Sequence, residues 1–427
     1  MIEPRQGFGC FFPILVALLC LFCPIVPRAI AADLRCGLWV EAEGKKRPFA
    51  SSGDFEDFKR LTGEFSFSEL YLQVYRRGRA WYPTMFADDS PYREALADGY
   101  DPLGDAIKTA HSRGQKVFAW INLLRVLDNP DAPIFDLLGK RAALSDNFGN
   151  SLLDYNKGGY PPDTPARYGR IGTPGVWLDP AYGRLRAFLL ALIGDLLSAY
   201  PQLDGVHLDM VRYPIVIGAP SKRAGVDLPL SLEALDLGYS FSSFAGYYGF
   251  SENVAPVVLW WHKMRRPPTV GQWSGWKKEQ LTNFLVDIRA LVSSAPGSKE
   301  LSVAVIPEVS SAVRHAHQDW PTWVKRGIVD VVVPMSYTRN LQVFKRRSRQ
   351  AMGSCADSSS KVLMGLGTWL MLDDHGMLRS QLAQVRKSGA NGAVLFSYGN
   401  LFSSKRGKEL LEHVSAQLKR SCMVELT

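Results

Sequence analysis

The stretch Asp204-Gly-Val-His-Leu-Asp-Met-Val-Arg-Tyr-Pro214 decides how the chain is read. As a strand, it sends Val206 and Leu208 to one side and Gly205, His207 and Asp209 to the other. Asp209 therefore leaves the strand on the His207 face, Arg212 follows within reach, and Tyr213-Pro214 fixes the exit. Polar groups at the end of an otherwise apolar strand are what the mouth of a parallel barrel requires.

Working outward, seven more apolar runs have the length of strands. The full set covers residues 34–42, 69–75, 116–122, 203–209, 301–306, 329–335, 362–366 and 392–397. Most are apolar on successive residues, as expected when both faces are buried. Helical periodicity fills the gaps at 99–113, 181–200, 277–292, 378–387 and 408–418. Alternation of strand and helix makes this an α/β chain, and eight strands with crossovers fit a closed (β/α)8 TIM barrel. No Gly-x-Gly-x-x-Gly turn follows the first strand, which argues against dinucleotide binding. The long connections 123–180 and 214–276 follow the third and fourth strands, placing both on the face where barrel active sites are built. The second carries Tyr239, Tyr247, Tyr248, Trp260, Trp261, Trp273 and Trp276. Such rings could pack on the apolar faces of sugars or close a satellite core over the barrel.

The chain has 427 residues, 46% of them hydrophobic, and a formal charge of +9. That is enough apolar content for one large core, and too much for a disordered chain. After Arg5, the apolar run 11–26 and Ala29-Ile-Ala31 resemble a cleaved secretory leader. The expected organisation is a signal peptide over 1–31 and one barrel over 32–427, with its core at about 34–415. The mature protein is then periplasmic or secreted and keeps no membrane span. Its basic charge suits an acidic polymer, but there is no cationic run of the kind that binds nucleic acid. Outside the leader lie Cys36, Cys355 and Cys422. A Cys355–Cys422 disulfide is the expected pairing, with Cys36 a buried thiol in the first strand.

Asp209 is the first catalytic candidate. An aspartate beside Arg212 should stay ionised, as a glycosidic nucleophile or electrostatic stabiliser must. A proton donor with a raised pKa is also needed. Glu308, directly after the apolar run 301–307, is the leading choice, with Asp319 and Glu41 in reserve. Other strand ends carry Gln73, Trp120, Asn122, Tyr337, Trp369 and Tyr398. With His207, Arg212, Tyr213 and Asp319 they form the expected substrate-binding set, since polar groups at one end of many strands suggest one pocket. His315-x-His317 is too sparse for a metal site, and no cofactor is implied.

Four stretches resemble the glycosyl hydrolase-like family 10 domain of bacterial envelope proteins. They are Leu70-Tyr-Leu-Gln-Val-Tyr75 with Trp81-Tyr-Pro83, the 204–214 stretch, Gln318-Asp-Trp-Pro-Thr-Trp323, and Asp330-Val-Val-Val-Pro-Met-Ser-Tyr337. Phe396-Ser-Tyr398 fits as well. The resemblance implies a barrel that hydrolyses glycosidic bonds of a polysaccharide, such as peptidoglycan glycan strands or an exopolysaccharide. A parallel with family 13 amylases would make Asp209 the nucleophile and Glu308 the acid/base, although His207 stands where that family has arginine. Family 18 chitinases need Asp-Gly-x-Asp-x-Asp-x-Glu on this strand. Here His207 and Val211 replace the middle aspartate and the glutamate, which excludes that chemistry. A catalytically silent glycan-binding barrel is the alternative. A metal-dependent deacetylase would need His207, His315 and an aspartate to converge on one ion.

Overall fold

The computed structural model describes residues 34–218 and 234–422, with side chains to 415. The expected leader lies outside these residues. Eight parallel strands close into a barrel, each at an expected position. They are β1 (Arg35–Val40), β2 (Glu69–Arg76), β3 (Lys116–Asn122), β4 (Gly205–Asp209), β5 (Glu300–Val305), β6 (Val331–Pro334), β7 (Lys361–Gly367) and β8 (Gly392–Phe396). Each pairs with its successor, and β8 returns to β1.

An outer ring covers them: α1 (Ser52–Glu64), α2 (Gly104–His111), α3 (Gly183–Ala199), α4 (Val270–Ser294), α5 (Trp320–Lys325), α6 (Leu341–Ser354), α7 (His375–Ser388) and α8 (Lys405–Cys422). The main core lies between strands and helices. α3 shows why it forms: Leu185, Leu189, Leu192, Ile193 and Leu196 repeat at helical spacing and are fully buried. α4 starts before the expected residue 277, because a Thr269/Gln272 capping box satisfies its first amides.

Within the 204–214 stretch each residue has a separate task. The Asp204 carboxylate accepts from the Val117 amide at 2.8 Å and contacts His111 Nε2 at 2.8 Å, stapling the start of β4 to β3 and α2. A Cβ on Gly205 would lie 2.2 Å from the Glu300 carbonyl oxygen, so only glycine lets β4 and β5 approach here.

The barrel interior is filled in layers. At the bottom, Arg35 pairs with Glu69 and Glu300, Lys361 pairs with Glu300 at 2.8 Å, and the Tyr71 hydroxyl donates to Glu69 at 2.8 Å. Above this charged plug sit Trp39, Tyr71, Phe118, Val331, Val333, Leu363 and Val394. His207 lies fully buried among them. It accepts from Trp39 Nε1 at 3.0 Å across the barrel and reaches Ser302 Oγ at 2.9 Å through Nδ1. The first contact makes Nε2 the acceptor, so Nδ1 carries the proton.

The two long connections form a joint structure on the mouth side. Arg170–Ile171 pairs with Val216–Ile217, and the Asn147 side-chain amide donates to the Ala234 carbonyl at 2.8 Å. Phe244, Ala245, Leu259 and Trp273 make a satellite core, with Tyr239, Tyr247, Tyr248 and Trp276 packed against it. Most of the aromatic wealth of the second connection is therefore used in packing. The cysteines depart from expectation: Cys36 is disulfide-bonded, whereas Cys355 is a free buried thiol, so no Cys355–Cys422 bond forms.

Candidate active site

The mouth is built one layer above the Trp39–His207 bridge. Glu41 and Asp209 follow those two residues by one strand period, which brings both carboxylates to the rim of the same opening. Met210, the residue after Asp209, adopts φ +59°, a left-handed conformation that a side chain tolerates poorly. This sharp exit lets the Met210 amide donate to Asp209 Oδ1 at 2.7 Å. Asn122 stands beside Asp209 in register, and the Leu123 amide donates to the Asp209 carbonyl at 2.9 Å.

Burial raises the Asp209 carboxyl above its usual range. The Met210 amide, the guanidinia of Arg212 and Arg125, and Trp120 act in the opposite direction without overcoming it. Arg212, expected to hold the charge on Asp209, stays outside ion-pairing distance and does not offset the effect of burial. Arg212 is instead stacked on Trp177, 4.7 Å from the ring centre, and donates to the Tyr213 carbonyl at 3.2 Å. Arg125 approaches the same ring at 5.7 Å. Burial lowers the pKa of both guanidinia, and Arg212 lowers that of Arg125 further.

Burial likewise raises the Glu41 carboxyl. It accepts from Ser397 Oγ and, at 3.3 Å, from the Gly399 amide, with Arg76 within electrostatic reach. Tyr337 joins the two carboxylates. Its phenol is pushed well up by burial and then by the charges of both Asp209 and Glu41. Rings continue outward from it: Phe396 at 5.6 Å and Trp369 at 4.8 Å, the latter about one-third exposed at 37%. The opening thus pairs two buried carboxyls with three arginines (76, 125 and 212) and an aromatic wall.

The family model described as glycosyl hydrolase-like 10 matches residues 37–371. The chain belongs to that family. Among solved structures, this glycosyl hydrolase-like 10 chain is similar to the PgaB (BpsB) glycoside hydrolase domain from Bordetella bronchiseptica. The TM-score is 0.56 at 15% identity, covering 90% of this chain and 99% of that one. A β-galactosidase from the psychrophilic Marinomonas ef1 gives 0.53 at 9% identity, covering 91% and 60%. At such identities the likeness concerns the TIM-barrel fold alone. No curated protein matches the chain.

The expected site residues of this family member divide into two groups. Asp209, Arg212, Trp120, Asn122, Gln73, Tyr337 and Trp369 gather at or just below the opening; Gln73 Nε2 donates to Asn122 Oδ1 at 3.4 Å. The others do not. His207 is sealed inside the barrel, where burial lowers its pKa to about 3, so it is a neutral core residue. Tyr213 packs edge-on against His317 at 5.3 Å beneath the joint insertion. Tyr398 points into the outer core against Phe58 and Phe402. Asp319 caps α5 by accepting from the Thr322 amide at 3.4 Å. Glu308 lacks the apolar surroundings expected of it, because Arg347 of α6 pairs with its carboxylate. Among the described residues, no group of three His, Cys, Asp or Glu side chains could hold a metal ion. Arg76, Arg125 and Trp177 were missed by sequence reasoning, since only long-range packing brings Arg76 near Glu41, Arg125 near Asp209 and Trp177 against Arg212.

Proposed function

We propose that this chain hydrolyses O-glycosidic bonds of an exported, acidic polysaccharide, such as peptidoglycan glycan strands or an exopolysaccharide, with Asp209 as its proton-transferring carboxyl. The observation that carries this reading is the state of that side chain. Oδ1 is fixed by the Met210 amide, Trp120 Nε1 is within reach of the carboxyl, and burial favours the protonated form. A carboxyl whose protonated form is favoured by burial at a cleft can give a proton to a leaving glycosidic oxygen.

Glu41 replaces Glu308 as the second carboxyl, and the roles are exchanged: Asp209, first expected as nucleophile or stabiliser, is here the acid. Two donors from the β8 exit hold Glu41 as an acceptor. In that role it stabilises the oxocarbenium-like transition state or activates water. Arg76 is balanced by Glu43 at 3.8 Å, whereas Arg125 and Arg212 make no ion pair among the described residues, which supports an anionic sugar. Trp369 offers a ring face at the rim for a pyranose. Export rests on the leader-like residues 1–31.

A second reading is a catalytically silent glycan-binding barrel. It is supported by the immediate surroundings of Asp209, which are arginine and tryptophan side chains rather than a second acid. Reducing-end release from peptidoglycan and exopolysaccharides, run with wild type, Asp209→Asn, Glu41→Gln and Glu308→Gln, separates the two. Cleavage lost in the first two variants and kept in the third supports the proposed pair. Binding without cleavage in wild type selects the silent barrel.

A further inference from the structure

The helix Pro256–Arg265 in the second long connection is turned inside out relative to an ordinary surface helix. Its inner side is set by Leu259, which is buried in the satellite core, by His262, edge-on to Phe250 at 4.9 Å, and by Lys263, 3.7 Å above the Phe244 ring. At 100° per residue these three share one face. The opposite arc holds Val257, Val258, Trp260, Trp261 and Met264, all exposed, with Val257 at 66% and Met264 at 67%. Solvent-facing helix surfaces are normally polar, and a contiguous apolar arc of this kind marks an interaction site.

Charge around the arc says what it meets. Between Glu252 and Glu279 the chain has no acidic residue. Arg265 lies at the flank of the arc, its guanidinium 4.8 Å from the centre of the Trp261 ring, and exposed Arg266 follows. Indole rings beside guanidinia, with aliphatic residues between them, match the boundary between lipid headgroups and acyl chains. A glycan would need donors and acceptors among the rings, and the side chains of this arc offer two indole donors and no oxygen acceptor.

We infer that the outer face of Pro256–Arg265 docks the barrel on an anionic bilayer surface, Trp260, Trp261 and Met264 entering the interface while Arg265 and Arg266 meet lipid phosphates. The helix belongs to an insertion rising from the end of β4, so the bilayer lies on the same side as the mouth. Substrate would then be polymer held close to the membrane.

The test uses the chain from Asp33 onward, which forms one compact unit. Its co-sedimentation is measured with vesicles of phosphatidylcholine alone and of equal parts phosphatidylcholine and phosphatidylglycerol. Binding to the anionic vesicles should exceed binding to the neutral ones and weaken with salt. Arg265→Glu/Arg266→Glu, which alters only exposed charges, should weaken anionic binding by about thirtyfold or more at low salt. Trp260→Ser/Trp261→Ser/Met264→Ser should weaken it by roughly tenfold or more, with an unchanged circular dichroism spectrum. Absence of vesicle binding, or equal binding by wild type and both variants, overturns the inference. A wild-type dimer that the serine variant dissolves, with no vesicle binding, assigns the face to a second copy instead.

Discussion

His207 provides a quantitative test of how the mouth is supported. Its imidazole is enclosed by Trp39 and Ser302, and burial lowers its pKa to about 3. An unfolded chain would protonate the same ring near 6.5. Between those values the unfolded state binds one proton that the folded state refuses. Stability therefore falls as pH drops through this window, by about 1.4 kcal/mol per pH unit, and by roughly 5 kcal/mol over the whole of it. Above 6.5 both states are neutral and the penalty vanishes. His207→Gln keeps an acceptor for Trp39 and a donor for Ser302, removes the titration, and costs about 1–3 kcal/mol at pH 7 from imperfect geometry. Urea unfolding of wild type and variant at several pH values between 4.5 and 7 measures the difference in slope. Opposite contributions from Asp209 and Glu41 appear in both proteins and cancel in the comparison. Wild type should lose about 2–3 kcal/mol more than the variant between pH 6.5 and 4.5. Equal slopes would refute the reasoning, because they would mean that the ring titrates normally and is reached by water, and through it by substrate.

Four other predictions follow from the same geometry. Asp209→Asn should reduce glycan cleavage by about 100-fold or more. It should also raise the melting temperature at pH 7, because the raised carboxyl pKa makes the folded state less stable as pH rises through it; at pH 4 the gain should shrink, which differential scanning calorimetry would show. Glu41→Gln should impair cleavage comparably, whereas Glu308→Gln should cost no more than the loss of a partly exposed ion pair with Arg347, as kcat and melting temperature together would reveal. Arg35→Met should destabilise by about 3–5 kcal/mol by leaving Glu69 charged and buried, and a double variant with Glu69→Met should recover much of it in urea unfolding. Cys355, whose thiol burial pushes up to about 11, should resist iodoacetamide in the native protein and react once the chain is unfolded.

The barrel was legible because its strands announce themselves. β3, β5 and β6 are nearly unbroken apolar runs, and runs of that kind have few other homes. α1 and α6 were not read, for different reasons. α6 buries only Phe344, Ser348 and Ala351, so its inner face looks polar in sequence. α1 does carry Phe55, Phe58 and Leu61 at helical spacing, with Ser51 as its cap, and could have been found. At the site, alternation within β4 placed Asp209 correctly but grouped it with His207 as though both reached the mouth. One strand period separates a sealed layer from an open one, and nothing local marks where the filling stops. The apolar surroundings expected of Glu308 are missing for a related reason: its partner Arg347 lies on α6, a helix absent from the sequence reading. Glu41 gained its place through Ser397 and Gly399, some 356 and 358 residues away.

The two ends of the barrel make the argument for function together. At the bottom, the charged side chains of β1, β2, β5 and β7 close on one another: Glu69 takes Arg35 and Tyr71, and Glu300 takes Arg35 and Lys361. Of these groups Arg35 Nη1 is left without a partner among the described residues. At the mouth, β3 and the connection after it carry polar groups that do not close. Arg125 Nε is a buried donor without an acceptor among the described residues, and Trp120 Nε1 has only the Asp209 carboxyl within reach. Buried donors are nearly always satisfied in a finished fold. Donors short of acceptors at the mouth suit a ligand rich in oxygen, which is what a sugar chain supplies. Saturation with such a glycan should therefore stabilise the wild-type barrel against heat, and should do so less when Trp120 is replaced by phenylalanine, which keeps the ring and removes the donor.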